Sequence, residues 1–243
     1  MSEKIQIMLN SKTANQYLNN ITTDCIFTLP QIDVKRRHKA SISVLNAVIP
    51  HGFYNINATN NIFSYVFTTG TETFEIPKGN YNISTLMQVI LSLIDNTFNI
   101  TYDSRTNKVT IVNSSKTFYF SSLNTCDELI GLDTNVSQSP VLTWTSNVGI
   151  NLFTIRTLNI SSDNFILNNI NTAQPNKASI ITSIPITTNA GGIINYSNTQ
   201  GITSLVHEIS NINNLHVKLL DQDGDPLDLN GLHWSINLLL TID

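Results

Sequence analysis

The final stretch of the chain, residues 214–243, alternates apolar and polar positions over most of its length. From 232 to 242 the even positions are apolar and most odd positions are polar, and a similar alternation runs through 215–219. A side-chain period of two is typical of a strand with one buried face. The pattern therefore predicts two strands at this end of the chain, with Trp234 contributing the largest single burial.

Two dipeptides between these runs favour tight turns. Asp223-Gly224 and Asn230-Gly231 tolerate the positive φ angles that such turns require. Because turns of this kind join neighbouring antiparallel strands, the sequence predicts that the last two strands pair with each other.

Strand patterns recur along the rest of the chain. They cover 5–9, 24–30, 40–50, 62–68, 150–160, 177–188, and 191–198 with 205–210 as one strand. About eight strands joined by short turns, without helices between them, are typical of a two-sheet jelly roll. The predicted fold class is all-β: a single jelly roll, or two-sheet β-sandwich, with a small inserted α+β subdomain. Alternation assigns Phe27, Val44, Trp234, Ile236 and Leu238 to the core.

The middle of the chain carries helical signals that the rest lacks. Ser84 is positioned to cap an amphipathic helix, and 98–111 has the pattern of a hairpin. Thr125 opens a capping box before a short helix that ends at Gly131.

These signals predict a chain in three parts. The parts are a first jelly-roll segment over 1–70, the inserted α+β subdomain over 71–140 and a second jelly-roll segment over 141–243. We expect that deleting the insertion, with Thr69 joined to a position near Thr143, leaves a soluble β domain.

Composition changes this picture mainly through charge. Of the 243 residues, 41% are hydrophobic and only 12% are charged, with a net charge of −4, whereas about a quarter of residues is charged in ordinary domains. Asn, Ser and Thr replace the missing charges, so the surface is polar without being ionic.

Apolar runs are far shorter than the roughly 20 residues of a membrane helix, and no membrane span is expected. Cys25 and Cys126 are interpreted as reduced and buried.

The residue patterns predict neither a catalytic site nor a cofactor or metal site. The acidic run Asp221, Asp223, Asp225 and Asp228 lacks the glycine and glutamate positions of an EF-hand. It is interpreted as a hairpin whose carboxylates bind their own turn. The five histidines have no zinc-like spacing, and no nucleophile elbow, phosphate loop or metalloprotease motif occurs. The sequence predicts a protein that is not an enzyme.

Two groups of residues are candidates for contact between subunits. The basic run 35–39 lies in a loop between strands, and it is either solvated or faces a neighbouring subunit. The chain is otherwise acidic, so specific nucleic-acid binding is not expected. The adjacent aromatics Phe53 and Tyr54 either anchor a corner of the core or meet another subunit. The candidate contact residues are therefore Lys35, Arg36, Arg37, Phe53 and Tyr54.

Several segments resemble a known family of capsid proteins. They are DCIFTLP, ISVLNAVIPHGFYNIN, IPKGNYN, ITYDSRTNKVTI, INLFTIRTLNI, PNKASIITSIPI and, as the most specific, LDQDGDPLDLNGLHWSINLLL. Together they are similar to the penton of virophages, polinton-like viruses and related large DNA viruses, which is a single jelly-roll minor capsid protein. The resemblance covers nearly the whole chain.

The resemblance implies a structural role in the virion. The expected protein is a homopentamer at the icosahedral five-fold vertices, beside hexamers or pseudo-hexamers of a double jelly-roll major capsid protein. It would be made in the host cell cytoplasm or in a viral factory. Two alternatives stay open: a receptor- or glycan-binding jelly roll, such as a fibre head or adhesin, and another minor capsid protein.

Overall fold

The computed structural model describes residues 2–32, 39–135, 138–167, 179–208 and 212–243. The strands in these ranges are β1 Glu3–Asn10, β2 Gln16–Tyr17, β3 Asp24–Ile32, β4 Ala40–Pro50, β5 Ile62–Phe67, β6 Gly70–Glu75, β7 Phe98–Asp103, β8 Lys108–Asn113, β9 Tyr119–Phe120, β10 Thr143–Thr145, β11 Thr157–Ser161, β12 Ile166–Leu167, β13 Ile180–Pro185, β14 Ile193–Ser197, β15 Ser204–Glu208, β16 Ile212–Leu220 and β17 Ser235–Ile242. The α-helices are α1 Ile83–Leu93 and α2 Asp127–Ile130. No helix in the described ranges is long and apolar enough to cross a membrane.

The chain divides into two compact units. The first combines Met1–Phe53 with Ile155–Asp243, and the second is Tyr54–Thr154. The second unit is longer at both ends than the predicted insertion, 71–140. The reason is strand pairing: β5 pairs with β6 and β9, and β10 pairs with β8, so both flanking segments belong to the insertion.

The first unit is a sandwich of two antiparallel sheets. Sheet A has the order β1-β17-β4, after which β14 and β15 pair with separate parts of β4, and β12 pairs with β15. Sheet B has the order β13-β11-β16-β3-β2. Numbering β1, β3, β4, β11, β13, β14, β16 and β17 from 1 to 8, the sheets read 1-8-3-6 and 2-7-4-5. This is the strand order of a jelly roll, so the predicted fold class is confirmed.

The prediction that the last two strands pair with each other is wrong. β16 pairs with β3 and β11 in sheet B, whereas β17 pairs with β1 and β4 in sheet A. The turn signals are real, since Gly224 and Gly231 have φ angles of 89° and 78°. However, the connection between the strands buries Leu227 and Leu229 in the core and crosses from one sheet to the other. A residue that tolerates positive φ allows the chain to reverse direction, but it does not determine which strand the next segment pairs with.

Other strand predictions also need correction. The strand predicted over 191–198 together with 205–210 is two separate strands in the described residues, β14 and β15, because each pairs with a different part of the long strand β4. The strand predicted over 150–160 begins only at Thr157. The last strand begins at Ser235 and not at Leu232, whose side chain is 47% exposed.

The core of the first unit contains the residues that alternation selected. Phe27, Val44, Trp234, Ile236 and Leu238 are all buried in one cluster, which confirms that prediction. The Trp234 ring meets the Phe27 ring edge-on at 5.9 Å between centroids. Its indole Nε1–H donates to the backbone oxygen of Thr22 at 2.7 Å, so the single polar group of this side chain is paired.

The second unit is built from local pairs of strands and two helices. β7 and β8 form the predicted hairpin, which β10 extends, and β5 lies between β6 and β9.

The predicted caps are wrong in position. Asn82, and not Ser84, caps α1, because Asn82 and Thr85 exchange hydrogen bonds in a capping box. Thr125 does not cap α2, because its hydroxyl accepts the amide of Ile62 at 3.0 Å. As predicted, α2 ends at Gly131, which is left-handed with φ 74°.

Aromatic side chains dominate the core of the second unit. The ring of Tyr65, which is 1% exposed, lies 4.9 Å from the ring of Phe98 and 5.1 Å from that of Phe67, and Phe98 is in turn 5.1 Å from Phe118. Burial, with a smaller contribution from Glu72, raises the pKa of Tyr65 to about 12.

Asn55 ties together three parts of the second unit. Its amide group donates to the Tyr81 backbone oxygen at 2.8 Å and accepts the Tyr81 amide at 2.9 Å. Its backbone oxygen accepts from the hydroxyl of Thr154 at 3.2 Å. The two ends of this unit are therefore held next to each other, at Asn55 and Thr154.

Candidate subunit-contact surfaces

Three of the five predicted contact residues, Lys35, Arg36 and Arg37, lie outside the described residues. The other two are described. Phe53 is 4% exposed and belongs to the core of the first unit, where its ring stacks on that of His51 at 4.1 Å. This placement matches the interpretation of Phe53 as a core corner. Tyr54 is 36% exposed and keeps surface that a neighbouring subunit can reach.

The acidic run closes its own turn, as the sequence predicted. One carboxylate oxygen of Asp221 accepts the backbone amides of Asp223 and Asp225, both at 2.9 Å. Partial burial raises the pKa of Asp221, although these two amide bonds oppose the shift. Within the described ranges, no group of three or more His, Cys, Asp or Glu side chains is arranged to hold a metal ion.

Each unit contains one cysteine, and both are free and buried, as predicted. Cys25 begins the inward face of β3, and Cys126 precedes α2. Burial raises the pKa of each thiol to about 12, because the apolar surroundings disfavour the thiolate. Both side chains are therefore neutral thiols at physiological pH.

The outer face of sheet A is nearly free of charge. It is formed by the side chains that alternate with the buried ones on β1, β17, β4 and β14. These at least partly exposed residues are Lys4, Gln6, Met8, Asn10, Ser235, Asn237, Leu239, Thr241, Asn46, Val48, Ile193, Asn195 and Ser197. Uncharged amides and hydroxyls can be buried at modest cost when they are hydrogen-bonded, so this face is suited to contact with another protein.

One end of this face contains a shallow groove of about 250 Å³. Its apolar lining comes from Val48, Pro50 and Ile193, and its polar lining from Asn10, Lys12 and His233. Val48 and Ile193 are 41% and 53% exposed. The groove therefore adds exposed apolar side chains to a face that is nearly free of charge.

The outer face of sheet B, in contrast, carries a group of acidic and basic side chains that contact one another. Nε2 of His216 lies 2.5 Å from a carboxylate oxygen of Asp24, and its Nδ1 lies 3.2 Å from Asp163. The ammonium of Lys218 contacts the same Asp163 oxygen at 2.5 Å. Burying such a group against a partner would require removing water from several ions. The two faces of the sandwich thus differ strongly in the cost of covering them.

Sequence reasoning did not single out the outer face of sheet A. Each strand showed which of its positions face outward, but not which strands lie side by side. The available signal was the scarcity of charge at the outward positions of 3–10 and 235–242.

Comparison with known proteins identifies related folds. A scan against protein-family models gives no match, and a search of curated proteins gives none. Among solved structures, the crystal structure of SeMet-labeled mavirus penton protein matches over 100% of both chains, with a TM-score of 0.52 and 11% sequence identity. A chain in the 3.5 Å cryo-EM structure of the Sputnik virophage matches over 98% of this chain and 97% of that one, with a TM-score of 0.48 and 14% identity. The likeness to the mavirus penton protein confirms the resemblance at the level of the fold.

Proposed function

We propose that this chain is a structural protein of a viral capsid: a penton capsomer that forms homopentamers at icosahedral five-fold vertices. The observation that carries the proposal is the likeness of its fold to the mavirus penton protein. The match extends over the whole of this chain, and therefore over both its jelly roll and the insertion between the third and fourth principal strands of that jelly roll. Because a fold alone does not determine a function, surface chemistry must supply the second argument.

A five-membered ring requires heterologous contacts, in which one face of each subunit meets a different face of its neighbour. The outer face of sheet A supplies one side of this contact, because it is nearly free of charge and includes a groove with exposed apolar side chains. Tyr54 and the 35–39 loop remain candidates for further contacts. Surrounding double jelly-roll major capsid hexamers, or pseudo-hexamers, hold the ring in the virion after synthesis in the host cytoplasm or a viral factory.

The oligomeric state and the position in the particle test this proposal together. We expect native mass spectrometry at high protein concentration to detect a weak pentamer, since an interface near the standard size of about 1,600 Å² does not guarantee a stable ring. Cryo-EM of particles is expected to place the chain at the vertices. A trimer would favour the fibre-head or adhesin alternative, and a chain absent from the vertices would exclude a penton.

A charge placed in the outer face of sheet A tests the contact itself. Val48→Glu is expected to reduce the pentamer fraction, because the new carboxylate loses its water in the interface. Ile202→Glu is the matched control, since Ile202 is also an exposed apolar residue, at 61%, but lies outside the strands of sheet A. Equal effects of both variants would contradict the assignment of this face.

A further inference from the structure

The turn from Leu229 to Leu232 has the only Asn-Gly pair of the sequence at its centre. The Leu232 amide donates to the Leu229 carbonyl at 3.1 Å. The two central residues, Asn230 and Gly231, have φ angles of 53° and 78°. A positive φ at both central positions is the property of a type I′ turn, for which Asn-Gly is a preferred pair.

This turn packs tightly against Gly52. The side-chain amide of Asn230 donates to the Gly52 carbonyl. A side chain has no room at Gly52, because a Cβ there would lie 2.6 Å from the Leu229 carbonyl oxygen and 2.8 Å from Cδ1 of Leu232. The backbone amide of Asn230 is also bonded, since it donates to a carboxylate oxygen of Asp228 at 2.8 Å. The amide group of Asn230 is therefore restrained, although the residue is exposed to solvent.

An Asn-Gly pair can undergo deamidation through its own backbone. The Gly231 nitrogen, after giving its proton to a base, attacks Cγ of Asn230, and the new C–N bond displaces the side-chain nitrogen as ammonia. Water then opens the resulting cyclic imide at one of its two carbonyl carbons, which leaves either Asp or a β-linked isoaspartate at position 230. Glycine favours the attack because it has no Cβ to crowd its nitrogen. A Cβ built on Gly231 would meet no atom within 4 Å beyond its chain neighbours, so this side of the turn is open to solvent.

The folded turn holds the two reacting atoms apart. In a type I′ turn the first central residue has a ψ of about +30°, the mirror image of type I. At this ψ the next backbone nitrogen lies on the opposite side of the Cα–C bond from Cβ, so the Gly231 nitrogen points away from Cγ of Asn230. Attack requires rotation about this bond, which breaks the hydrogen bonds that close the turn and join it to Gly52. The reaction therefore requires local opening of the turn.

We propose that Asn230 is a modification site, at which spontaneous deamidation irreversibly releases the turn from Gly52. The folded turn suppresses the reaction, and local opening permits it. A carboxylate at position 230 has no hydrogen to donate to the Gly52 carbonyl, and it adds a negative charge close to the Asp228 carboxylate. The β-linked product also adds a carbon atom to the backbone of the turn. The proposal does not depend on assembly into a pentamer, because all these groups belong to the first unit of a single chain.

Peptide mapping by mass spectrometry during incubation in mildly alkaline buffer tests the suppression. The folded protein is expected to convert Asn230 at least about tenfold more slowly than the synthetic peptide LDLNGLHW of 227–234, which lacks the contact with Gly52. Asp228→Ala removes the acceptor of the Asn230 amide and is expected to accelerate conversion in the folded protein. Asp228→Asn is the matched control, because it retains a side-chain oxygen at this position. Equal rates in the folded protein and the peptide, or in the two Asp228 variants, would overturn the proposal.

Asn107 is a control within the same molecule. Like Asn230 it is exposed, has a positive φ of 56° and donates its side-chain amide to a backbone carbonyl, that of Ile150 at 3.1 Å. It is followed by Lys108 and not by glycine. We expect no conversion of Asn107 while Asn230 reacts, and equal conversion of both would contradict the assignment of the Asn-Gly pair.

Amide hydrogen exchange of the deamidated protein tests the release of the turn. The product carries an added negative charge, so ion exchange separates it from the unmodified protein. The Leu232 amide is expected to exchange at least about tenfold faster after conversion, because its bond to Leu229 is lost. The amide of Ile236, which lies in β17 between β1 and β4, is expected to keep its protection. An unchanged exchange rate at Leu232 would overturn the release.

Discussion

The jelly roll and the insertion bury different kinds of side chain and pair strands over different distances along the chain. The jelly-roll core is mainly aliphatic, and its sheet A joins the two ends of the chain, with Glu3 opposite Ile242. The insertion core is rich in aromatic rings, and its hairpins join neighbouring strands, as in β5–β6 and β7–β8. Local pairing closes short loops at low entropic cost, so the insertion can form before the jelly roll is complete.

The largest expected effect comes from removing the insertion altogether. We expect that deleting 54–154 and joining Phe53 to Ile155 through a short Gly-Ser linker leaves a folded jelly roll, and that 54–154 folds alone. Circular dichroism and thermal unfolding of both fragments check this prediction. The junction between Thr69 and Thr143, which the sequence alone led us to expect to be soluble, is the informative control. Strand pairing revises that expectation: this junction retains β5 without β6 and β9, exposes Phe63 and Tyr65, and is expected to aggregate. An unfolded result for the first junction would refute independent folding.

Truncating one large side chain in each core is expected to have the next largest effect. Trp234→Ala in the jelly roll and Phe118→Ala in the insertion should each lower the free energy of unfolding by about 3–5 kcal/mol, because each leaves a cavity in a closed core. Phe153→Ala is the control, since this ring is 79% exposed, and it should change stability by less than about 0.5 kcal/mol. A loss below about 1 kcal/mol for Trp234→Ala in urea titration would contradict its place in the core.

Labelling of the two cysteine thiols measures the opening of each unit separately. At pH 8 we expect neither thiol to react with an alkylating reagent in the native protein, because both are buried and have a pKa of about 12. Trp234→Ala should then accelerate labelling of Cys25, and Phe118→Ala that of Cys126, each without changing the other rate. Mass spectrometry of labelled peptides measures both rates. If either variant accelerates both cysteines equally, the two units open as one.

The smallest expected effect is on the pH dependence of stability. Each unit contains one carboxyl group that reports on it. Burial raises the pKa of Asp221 in the jelly roll and of Asp127 in the insertion. The folded protein therefore retains these protons to higher pH than the unfolded chain does. Their contribution to stability is greatest below the ordinary carboxyl pKa and declines as pH rises through the raised values.

Asp221→Asn and Asp127→Asn are each expected to flatten part of this decline, since an amide keeps the hydrogen-bonding oxygen but carries no charge. The measurement is the melting temperature between about pH 3 and pH 7. Variant curves that run parallel to the wild-type curve would show that these carboxyl groups do not control the decline.

Side-chain periodicity predicted the jelly-roll core well but could not predict its connections. The alternation around Trp234 identified the buried face correctly, because period two determines which side of a strand is apolar. The same sequence could not show that β16 and β17 belong to opposite sheets, because a turn at Gly224 is compatible with a hairpin or a crossover. At α1 the sequence placed the cap at Ser84, whereas the structure places it at Asn82, because Asn82 and Thr85 exchange hydrogen bonds.

The surfaces were harder to predict than the core. The sequence allowed two interpretations of the adjacent aromatics Phe53 and Tyr54, a corner of the core or a contact with another subunit. It did not favour one of them decisively. The nearly uncharged outer face of sheet A depends on which strands are neighbours. That order is set by pairing between distant segments, as when Leu238 lies between Ile7 and Val44.

The hydrogen bond that joins Thr154 to Asn55 has a consequence for how such chains diversify. It brings the ends of a long segment together at a connection between two principal strands of the jelly roll. The entropy of closing a loop grows only with the logarithm of its length, by about 0.6 kcal/mol for each doubling. A lineage of these chains can therefore lengthen, shorten or replace this module with little change in the stability of the jelly-roll unit. Variation in size among relatives is expected to concentrate between residues 54 and 154.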